Sequence, residues 1–330
     1  MTHPDNSPSC LRNFTALILF GLIVGITGFA GLTSRYGWKI YLEIFSHFQV
    51  QYLIVNLFLL FLLYLTRNRL FLLGGLLCCS ILAAQILPWY LPPHRLLPKA
   101  ASDLRIFIAN VNTQNRNYEK VVAQVRQENP DLAIFMEVDN AWVAQLDSLG
   151  GQLPYSYGQA NPYNLGLVIY SQSELINPQV NFFGTDRNPS ILAQVTVNNQ
   201  SFLLVATHPL PPVKPSFFHS RNRQLKLMGD YLQTLSQPMV LAGDLNITMW
   251  SPYYKNLIRR TNLKNARRGF GILPSWPTPG TYRQLPGPLS QFFAIPIDHC
   301  LHSREFRVNN IRTGKPTGSD HLPVIVDLSL

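Results

Sequence analysis

The sequence predicts an α/β protein in two parts, with about three transmembrane helices followed by one large soluble domain. Only 13% of the 330 residues are charged, which is about half the share usual in soluble proteins. The apolar excess is concentrated in residues 1–100, whereas residues 101–330 alternate apolar runs with polar segments. An ordinary soluble single-domain protein is therefore excluded, and the second part is long enough to enclose one sizeable core.

Three long stretches without Asp, Glu, Lys or Arg predict membrane spans at about residues 14–34, 50–66 and 70–91. A hydrocarbon core about 30 Å thick needs about 20 helical residues. A cleaved signal peptide is the alternative for the first stretch, but its apolar part exceeds the usual length of about 7–15 residues. The sequence thus predicts a multi-pass integral membrane protein that has the lipid bilayer as a partner.

The orientation follows from the short turn that carries Arg67 and Arg69 between the second and third spans. Basic residues this close to the membrane surface favour the cytoplasmic side, although the opposite side carries four basic residues against three. The soluble domain is then expected on the non-cytoplasmic side.

Prolines mark the boundary between the two parts. Pro92, Pro93 and Pro98 cannot continue the third helix. We therefore expect a membrane anchor in residues 1–100 and a catalytic domain in residues 101–330.

Seven strand-like runs and two helical segments organise the second part. Apolar residues at helical spacing predict helices at about 117–128 and 221–235. The predicted strands are 104–111, 132–138, 165–170, 193–197, 202–207, 239–242 and 322–328. Strands interleaved with helices favour sheets packed inside helices.

Polar side chains follow several of these strands, where a rigid sheet would bring them into one cleft. They are Asn110, Glu137, His208, Asp244, Asn246, Asp298, Asp320 and His321. Each one alone could be a cap, a turn residue or a buried polar group. The ordered set is much harder to assign to chance, and we interpret it as a catalytic site.

Two motifs carry a family resemblance, namely Gly243-Asp244-Leu245-Asn246 and Ser319-Asp320-His321. With the polar residues before them, they make Leu104 to Leu328 resemble the endonuclease/exonuclease/phosphatase superfamily. That superfamily includes deoxyribonuclease I, apurinic endonucleases and neutral sphingomyelinases. The resemblance implies a four-layer αββα sandwich with two central sheets and an enzyme that hydrolyses phosphoric ester bonds.

The resemblance also implies roles for the polar residues. Asn110, Glu137 and Asp320 match the positions of a divalent-metal site. The catalytic set is His208 at the scissile phosphate, Asp244 and Asn246 for positioning the nucleophile and binding phosphate, and Asp298 as the partner of His321. His299 is adjacent to Asp298, but neighbouring residues on a strand face opposite sides, and we interpret His299, His302 and His219 as bystanders.

The chemistry of phosphate esters independently favours Mg²⁺ or Mn²⁺. Hydrolysis requires neutralisation of the phosphate oxygens and an activated water in line with the leaving group. Mg²⁺ prefers oxygen ligands, which Glu137, Asn110 and Asp320 provide. A zinc site would normally show closely spaced His and Cys ligands, which this set does not contain.

A cluster of basic residues suggests a polyanionic partner. Residues 255–268 contain Lys255, Arg259, Arg260, Lys264, Arg267 and Arg268 without an acidic residue, and the net charge of the chain is +10. The cluster favours contact with nucleic acid or anionic lipid, and a solvated helix face is the alternative.

The leading interpretation is a membrane-anchored, Mg²⁺-dependent phosphodiesterase. Its substrate could be nucleic acid, a phospholipid or sphingolipid head group, or a small phosphoester, and the sequence leaves these alternatives open. A catalytically inactive membrane scaffold is the alternative from a different class. The complete polar set argues against it, because a scaffold has no need for these residues together.

Overall fold

The computed structural model describes residues 8–92, 102–184, 187–281 and 286–330. The chain forms two compact units, Met1–Pro88 with Trp250–Pro252, and Trp89–Met249 with Tyr253–Leu330. The boundary predicted near residue 100 lies outside the described residues and stays a prediction.

The N-terminal unit contains three helical segments that are long and apolar enough to cross a membrane: Leu11–Arg35, Ile40–Leu65 and Arg69–Trp89. Their helices are α1 (Pro8–Arg35), α2 (Ile40–Ile44), α3 (Gln49–Leu65) and α4 (Arg69–Ile86), with a 3₁₀ turn at Phe45–Phe48 between α2 and α3 and another at Leu87–Trp89 after α4. The second segment begins about ten residues earlier than predicted, because the chain is already helical from Ile40.

Polar contacts inside this unit occur where side chains are shielded. Nδ2 of Asn56 in α3 donates a hydrogen bond to Oγ1 of Thr27 in α1 at 2.8 Å, and both residues are buried. Such pairs satisfy polar groups between apolar helices. Asn68 caps the start of α4, since its side chain accepts from the backbone N–H of Phe71.

The second unit is an α/β sandwich of two mixed six-stranded sheets with helices, which confirms the predicted fold class. The first sheet has the order β11-β12-β1-β2-β4-β3 and the second has the order β5-β6-β7-β8-β10-β9. The strands are β1 (Leu104–Asn110), β2 (Leu132–Met136), β3 (Tyr155–Gln159), β4 (Leu167–Ser171), β5 (Ile176–Asn181), β6 (Ser190–Val197), β7 (Gln200–Thr207), β8 (Met239–Asp244), β9 (Lys264–Asn265), β10 (Asp298–His302), β11 (Arg307–Thr313) and β12 (Val324–Ser329). The helices are α5 (Tyr118–Glu128), α6 (Asn140–Leu146), α7 (Pro215–Leu232), α8 (Pro252–Thr261) and α9 (Gly287–Phe292).

Alternation along β1 shows why the sheets lie inside the helices. Ile106 and Ile108 belong to the core shared with Leu204 and Val240 of the second sheet. Phe107, between them, belongs instead to the core that contains residues of α5 and α6. Successive strand residues point to opposite faces of the sheet. An uninterrupted apolar strand therefore contributes both to the core between the two sheets and to the core between the first sheet and its helices.

The sequence does not predict five of the strands, namely β3, β5, β9, β10 and β11. Strands β3, β5 and β11 are edge strands whose residues are mostly exposed or half-buried, and they carry few apolar residues. Strand β10 is fully buried but reads Asp-His-Cys-Leu-His, so its polarity concealed it. Helix α7 also begins six residues before the predicted start, with Pro215 in its first turn.

Candidate active site

Several of the predicted site residues lie at or directly after the ends of strands in both sheets. Strands β1 and β2 are parallel, with Asn110 opposite Met136, so Asn110 and Glu137 emerge at the same sheet edge. In the second sheet, His208 follows β7, and Asp244 at the end of β8 is paired with Asp298 at the start of β10. Neighbouring strands therefore hold these side chains on rigid backbone.

Asn110 connects the two sheets. Its Nδ2 donates to Oε1 of Glu137 at 2.9 Å and to Oδ2 of Asp244 at 3.3 Å. Nε2 of His208 lies 3.5 Å from the same Asp244 oxygen and 3.8 Å from Oε1 of Glu137. The four side chains therefore form one polar cluster in the cleft.

The backbone around Glu137 is held in a left-handed conformation, with φ of 59°. Its N–H donates to the carbonyl of Gly166 at 2.8 Å, and its carbonyl accepts from Oγ1 of Thr113 at 2.8 Å. A side chain at Gly166 would bring its Cβ within 1.9 Å of the carbonyl oxygen of Val138, so only glycine permits this close approach. These contacts fix the backbone of Glu137 directly after the C-terminal end of β2.

Burial raises the pKa of Glu137, while His208 and the Asn110 amide oppose the rise. Burial alone would lower the pKa of His208, but its hydrogen bond to Asp244 and the charges of Asp244 and Glu137 outweigh that effect and raise it. A buried carboxylate that is costly to ionise is suited to a cation that restores its charged form.

Asp298 and His321 form a second, fully buried pair. Nδ1 of His321 lies 2.9 Å from Oδ2 of Asp298, and its Nε2 lies 3.7 Å from Oδ2 of Asp244. Burial opposes the charged form of His321, but Asp298 and Asp244 outweigh it and raise the pKa of His321 to about 10. Burial likewise opposes ionisation of Asp298, but His321 outweighs it and lowers the pKa of Asp298.

Asp244 organises the turn that presents Asn246. Oδ1 of Asp244 accepts the backbone N–H of Asn246 at 2.8 Å, and Asn246 is left-handed with φ of 52°. Nδ2 of Asn246 donates to the carbonyl of Pro209 at 2.9 Å and lies 3.4 Å from Nε2 of His208. The amide of Asn246 and the imidazole of His208 therefore share one side of the cleft.

Asp320 is held by two residues that the sequence analysis missed. Its Oδ1 accepts from Nδ2 of Asn112 at 2.7 Å, and its Oδ2 accepts from Nε1 of Trp276 at 3.0 Å. Asn112 lies two residues past the end of β1, in left-handed backbone with φ of 59°, so strand alternation gave no signal for it. Trp276 lies in a loop and likewise gave no signal.

A second group of ligand atoms exists besides Asn110, Glu137 and Asp320. Asp244, Asp298 and His321 each offer one ligand atom within 4.8 Å of the others, and all three are buried. The spacing of these three ligand atoms is therefore compatible with a bound metal ion.

The basic cluster at residues 255–268 does not form one surface, which corrects the predicted six-residue polyanion contact. Arg267 is fully buried, where burial lowers its pKa to about 10, and Arg260 pairs with Asp230. The exposed members are Lys255, Arg259, Lys264 and Arg268. Of the six residues of the cluster, these four are exposed to a polyanion in solution.

The sandwich and the polar cluster between its strand ends define the class of protein as a phosphoesterase. A sequence profile described as the Endonuclease/Exonuclease/phosphatase family matches residues 108–321, which is more than half of the chain. The chain therefore belongs to this family and is a hydrolase acting on phosphoester bonds. No curated protein matches it significantly.

Solved structures agree with the fold. D. rerio TDP2 complexed with single strand DNA product has a TM-score of 0.56 at 14% identity, covering 69% of this chain and 99% of that one. Sphingomyelinase C from Streptomyces griseocarneus has a TM-score of 0.52 at 16% identity, covering 69% and 99%. An endonuclease/exonuclease/phosphatase from Beutenbergia cavernae DSM 12333 has a TM-score of 0.53 at 22% identity, covering 70% and 72%. At these identities, the similarity shows the fold alone.

Proposed function

We propose that the protein is a membrane-anchored phosphodiesterase that depends on Mg²⁺ or Mn²⁺. The observation that carries the proposal is the convergence of His208 and His321 on one oxygen of Asp244, at 3.5 Å and 3.7 Å. Two imidazoles held beside one carboxylate in a cleft provide both a proton acceptor and positive charge for an anionic phosphate.

The chemistry of the donors favours a metal held by Asn110, Glu137 and Asp320. These residues offer only oxygen ligands, and the raised pKa of buried Glu137 fits a carboxylate that a divalent cation would keep ionised. A bound divalent ion would neutralise the non-bridging oxygens and polarise the phosphoryl group. In the alternative group, Asp298 and His321 already bind each other at 2.9 Å, so we assign that group to acid–base chemistry.

The side chains then divide the work around the phosphorus atom. Asp244 orients the attacking water and accepts its proton. Nδ2 of Asn246 and the imidazole of His208 donate to phosphate oxygens. His321, kept protonated by Asp298, stabilises the negative charge that develops in the transition state.

The decisive experiment is an assay of the full-length protein in detergent with bis(4-nitrophenyl) phosphate. We expect turnover with Mg²⁺ or Mn²⁺, no turnover in excess chelator, and a loss of about 10³-fold in Asp244→Asn. The matched control is His302→Gln, a change at a buried histidine of β10 that we place outside the site. Full activity in chelator would refute the metal dependence, and no turnover under any condition would favour an inactive scaffold.

Hydrolysis of a lipid head group is a second candidate, favoured by the three apolar helical segments of the N-terminal unit. A catalytic domain tethered to a bilayer meets head groups at high effective concentration. Parallel assays with single-stranded DNA, duplex DNA and sphingomyelin vesicles distinguish nucleic acid from lipid head groups as the substrate class. Preference for either DNA by more than about tenfold in kcat/KM would reject the lipid candidate.

A further inference from the structure

Hydrogen bonds from backbone N–H groups hold the turn that carries Asn246. The N–H of Leu245 donates to the carbonyl of Ile297 at 3.0 Å, and the N–H of Asn246 donates to Oδ1 of Asp244 at 2.8 Å. The same turn presents the carbonyl groups of Asn246 and Ile247. Buried backbone carbonyls need partners, so what binds them determines how rigid the turn is.

Both carbonyls are bound by buried side chains from different elements. Nη1 of Arg221, on α7, donates to the carbonyl of Asn246 at 2.7 Å. Nε2 of His299, on β10, lies 2.8 Å from the carbonyl oxygen of Ile247. Arg221 and His299 are both 0% exposed, which is unusual for such polar residues unless they serve a specific purpose.

The proton on His299 can be assigned from its neighbours. Oδ1 of Asn265 accepts the backbone N–H of Arg267 at 2.9 Å, so the Nδ2 group of Asn265 must be the donor toward His299. That group lies 3.0 Å from Nδ1 of His299, which therefore accepts. Nε2 then carries the proton and donates to Ile247. Nδ2 of Asn265 also donates to the hydroxyl of Tyr254 at 2.7 Å, which holds the amide in place.

The guanidinium of Arg221 is also held in place by neighbouring side chains. Nε and Nη2 of Arg221 both donate to Oδ1 of Asn222, at 3.0 Å and 2.9 Å. The guanidinium also lies 5.4 Å from the ring centroid of Phe218 and 6.0 Å from that of Tyr253. These contacts with Asn222, Phe218 and Tyr253 therefore orient the planar guanidinium independently of its bond to the Asn246 carbonyl.

We propose that Arg221 and His299 are positioning residues that clamp the carbonyls of Asn246 and Ile247 and thereby aim the Asn246 amide at the phosphate. This inference deepens the proposed function and rests on it for the role of Asn246. His299 is then more than the bystander that its sequence position suggested. Both side chains are fully buried, so in this proposal they act only through Asn246.

Double mutants distinguish positioning from general support of the fold. In the full-length protein, we expect His299→Leu and Arg221→Met each to lower kcat for bis(4-nitrophenyl) phosphate by about 10- to 100-fold, the scale of a misplaced catalytic group. In an Asn246→Ala background, the same substitutions should cost less than about twofold, because the group they aim is gone. Equal losses in both backgrounds would overturn the proposal.

Conservative variants supply the matched comparison. Gln at position 299 can still donate from its amide nitrogen, and Lys at position 221 keeps one donor nitrogen, whose three N–H groups replace the planar fork of the guanidinium. Both His299→Gln and Arg221→Lys should recover most of kcat relative to His299→Leu and Arg221→Met. His302→Leu, a change at another buried histidine of β10, should leave kcat unchanged. If His299→Leu fails to fold, the two Arg221 variants still decide the question.

Hydrogen exchange separates failure of this inference from failure of the proposed function. Amides in residues 245–249 should exchange at least about tenfold faster in His299→Leu than in His299→Gln, whereas amides of β1 should be unchanged. Unchanged exchange in residues 245–249 would overturn the clamp whether or not the protein is active. Absence of phosphodiesterase activity in the unmodified protein would refute the proposed function, while the exchange rates would still test the clamp.

Discussion

Asp298 and His321 are bound to each other by a hydrogen bond of 2.9 Å between Oδ2 and Nδ1, although strand β11 and the loops beside it separate the two along the chain. Both side chains are buried, and the carboxylate fixes the ring orientation in which Nε2 faces Asp244. Each residue therefore depends on the other for its charge and its orientation.

That dependence predicts non-additive mutants. Asp298→Ala and His321→Ala should each lower kcat/KM by about 10²–10⁴-fold, since the imidazolium is lost or misaligned. The double mutant should lose little more than either single mutant, because parts of one unit are not additive. Steady-state kinetics of the three variants checks this, and strictly multiplicative losses would contradict the pairing.

Glu137→Gln tests the metal assignment. The amide keeps the size of the side chain but removes the buried charge, so we expect the melting temperature to stay the same or rise. The Mg²⁺ concentration for half-maximal activity should increase by at least about tenfold. A Mg²⁺ titration of activity, with exposed Glu119→Gln on α5 as the matched control, gives the measurement. An unchanged titration would rule out Glu137 as a ligand.

Particular elements explain how far the sequence alone could lead. Strands β1, β2, β8 and β12 were predicted because they are buried on both faces and read as apolar runs. Strand β10 was missed because its polar residues are satisfied by partners distant in sequence, such as Ile247 for His299. Such partners become visible only when the chain is folded.

The site residues likewise divide into those with a local sequence signal and those that act through tertiary contacts. The eight predicted residues follow strands or lie in short motifs, and those signals are local. Trp276 and Asn112, which hold Asp320, and Arg221, which holds the Asn246 carbonyl, act through tertiary contacts. A single sequence does not reveal which helix side chain will reach which loop carbonyl.

The four exposed basic residues predict a salt-dependent interaction. Replacing Lys255, Arg259, Lys264 and Arg268 by Gln should weaken binding to a polyanion such as duplex DNA while leaving hydrolysis of bis(4-nitrophenyl) phosphate nearly intact. For duplex DNA, the slope of log K against log salt should flatten by about 0.9 for each phosphate that is no longer neutralised. Arg267→Gln is expected to behave differently and to destabilise the fold, because Arg267 is buried.

Binding measured by fluorescence anisotropy at several salt concentrations gives the slope, and Lys120→Gln on α5 is the matched surface control. An unchanged slope in the fourfold variant would show that the four residues form only a solvated surface.

His299 predicts a pH-dependent stability. Burial, and secondarily the charge of Arg267, lowers the pKa of His299 to about 3, whereas an unfolded histidine has a pKa of about 6.5. Between these values, the unfolded chain binds a proton that the folded chain does not. Stability from this group is therefore complete above about pH 6.5 and falls as the pH decreases, by at most about 1.4 kcal/mol per pH unit.

The comparison is with His299→Gln, which cannot titrate. Urea unfolding of both proteins between pH 7 and pH 4 should give curves that converge as the pH falls, because only the unmodified protein loses this contribution. Parallel curves would show that His299 is protonated equally in the folded and unfolded chains.

The start of the catalytic unit can be tested by truncation. The unit includes Trp89, whose carbonyl accepts the backbone N–H groups of Gly269 at 2.9 Å and Gly271 at 2.8 Å. Both glycines are buried, so loss of this acceptor would leave two donors to find new partners. A chain beginning at Trp89 should therefore be more stable than one beginning at Ala101, by about 1–3 kcal/mol.

Urea unfolding of the two purified chains measures the difference, and turnover of bis(4-nitrophenyl) phosphate shows whether each folds. Both should be active, because all the proposed site residues lie after Ala101. Trp89→Ala in the longer chain is the matched control, since it removes the ring but keeps the carbonyl that accepts both bonds. If Trp89→Ala is as unstable as the shorter chain, the ring rather than the backbone bonds accounts for the difference. Equal stability of the two truncated chains would instead place the start of the catalytic unit after residue 100, as the prolines of the sequence suggested.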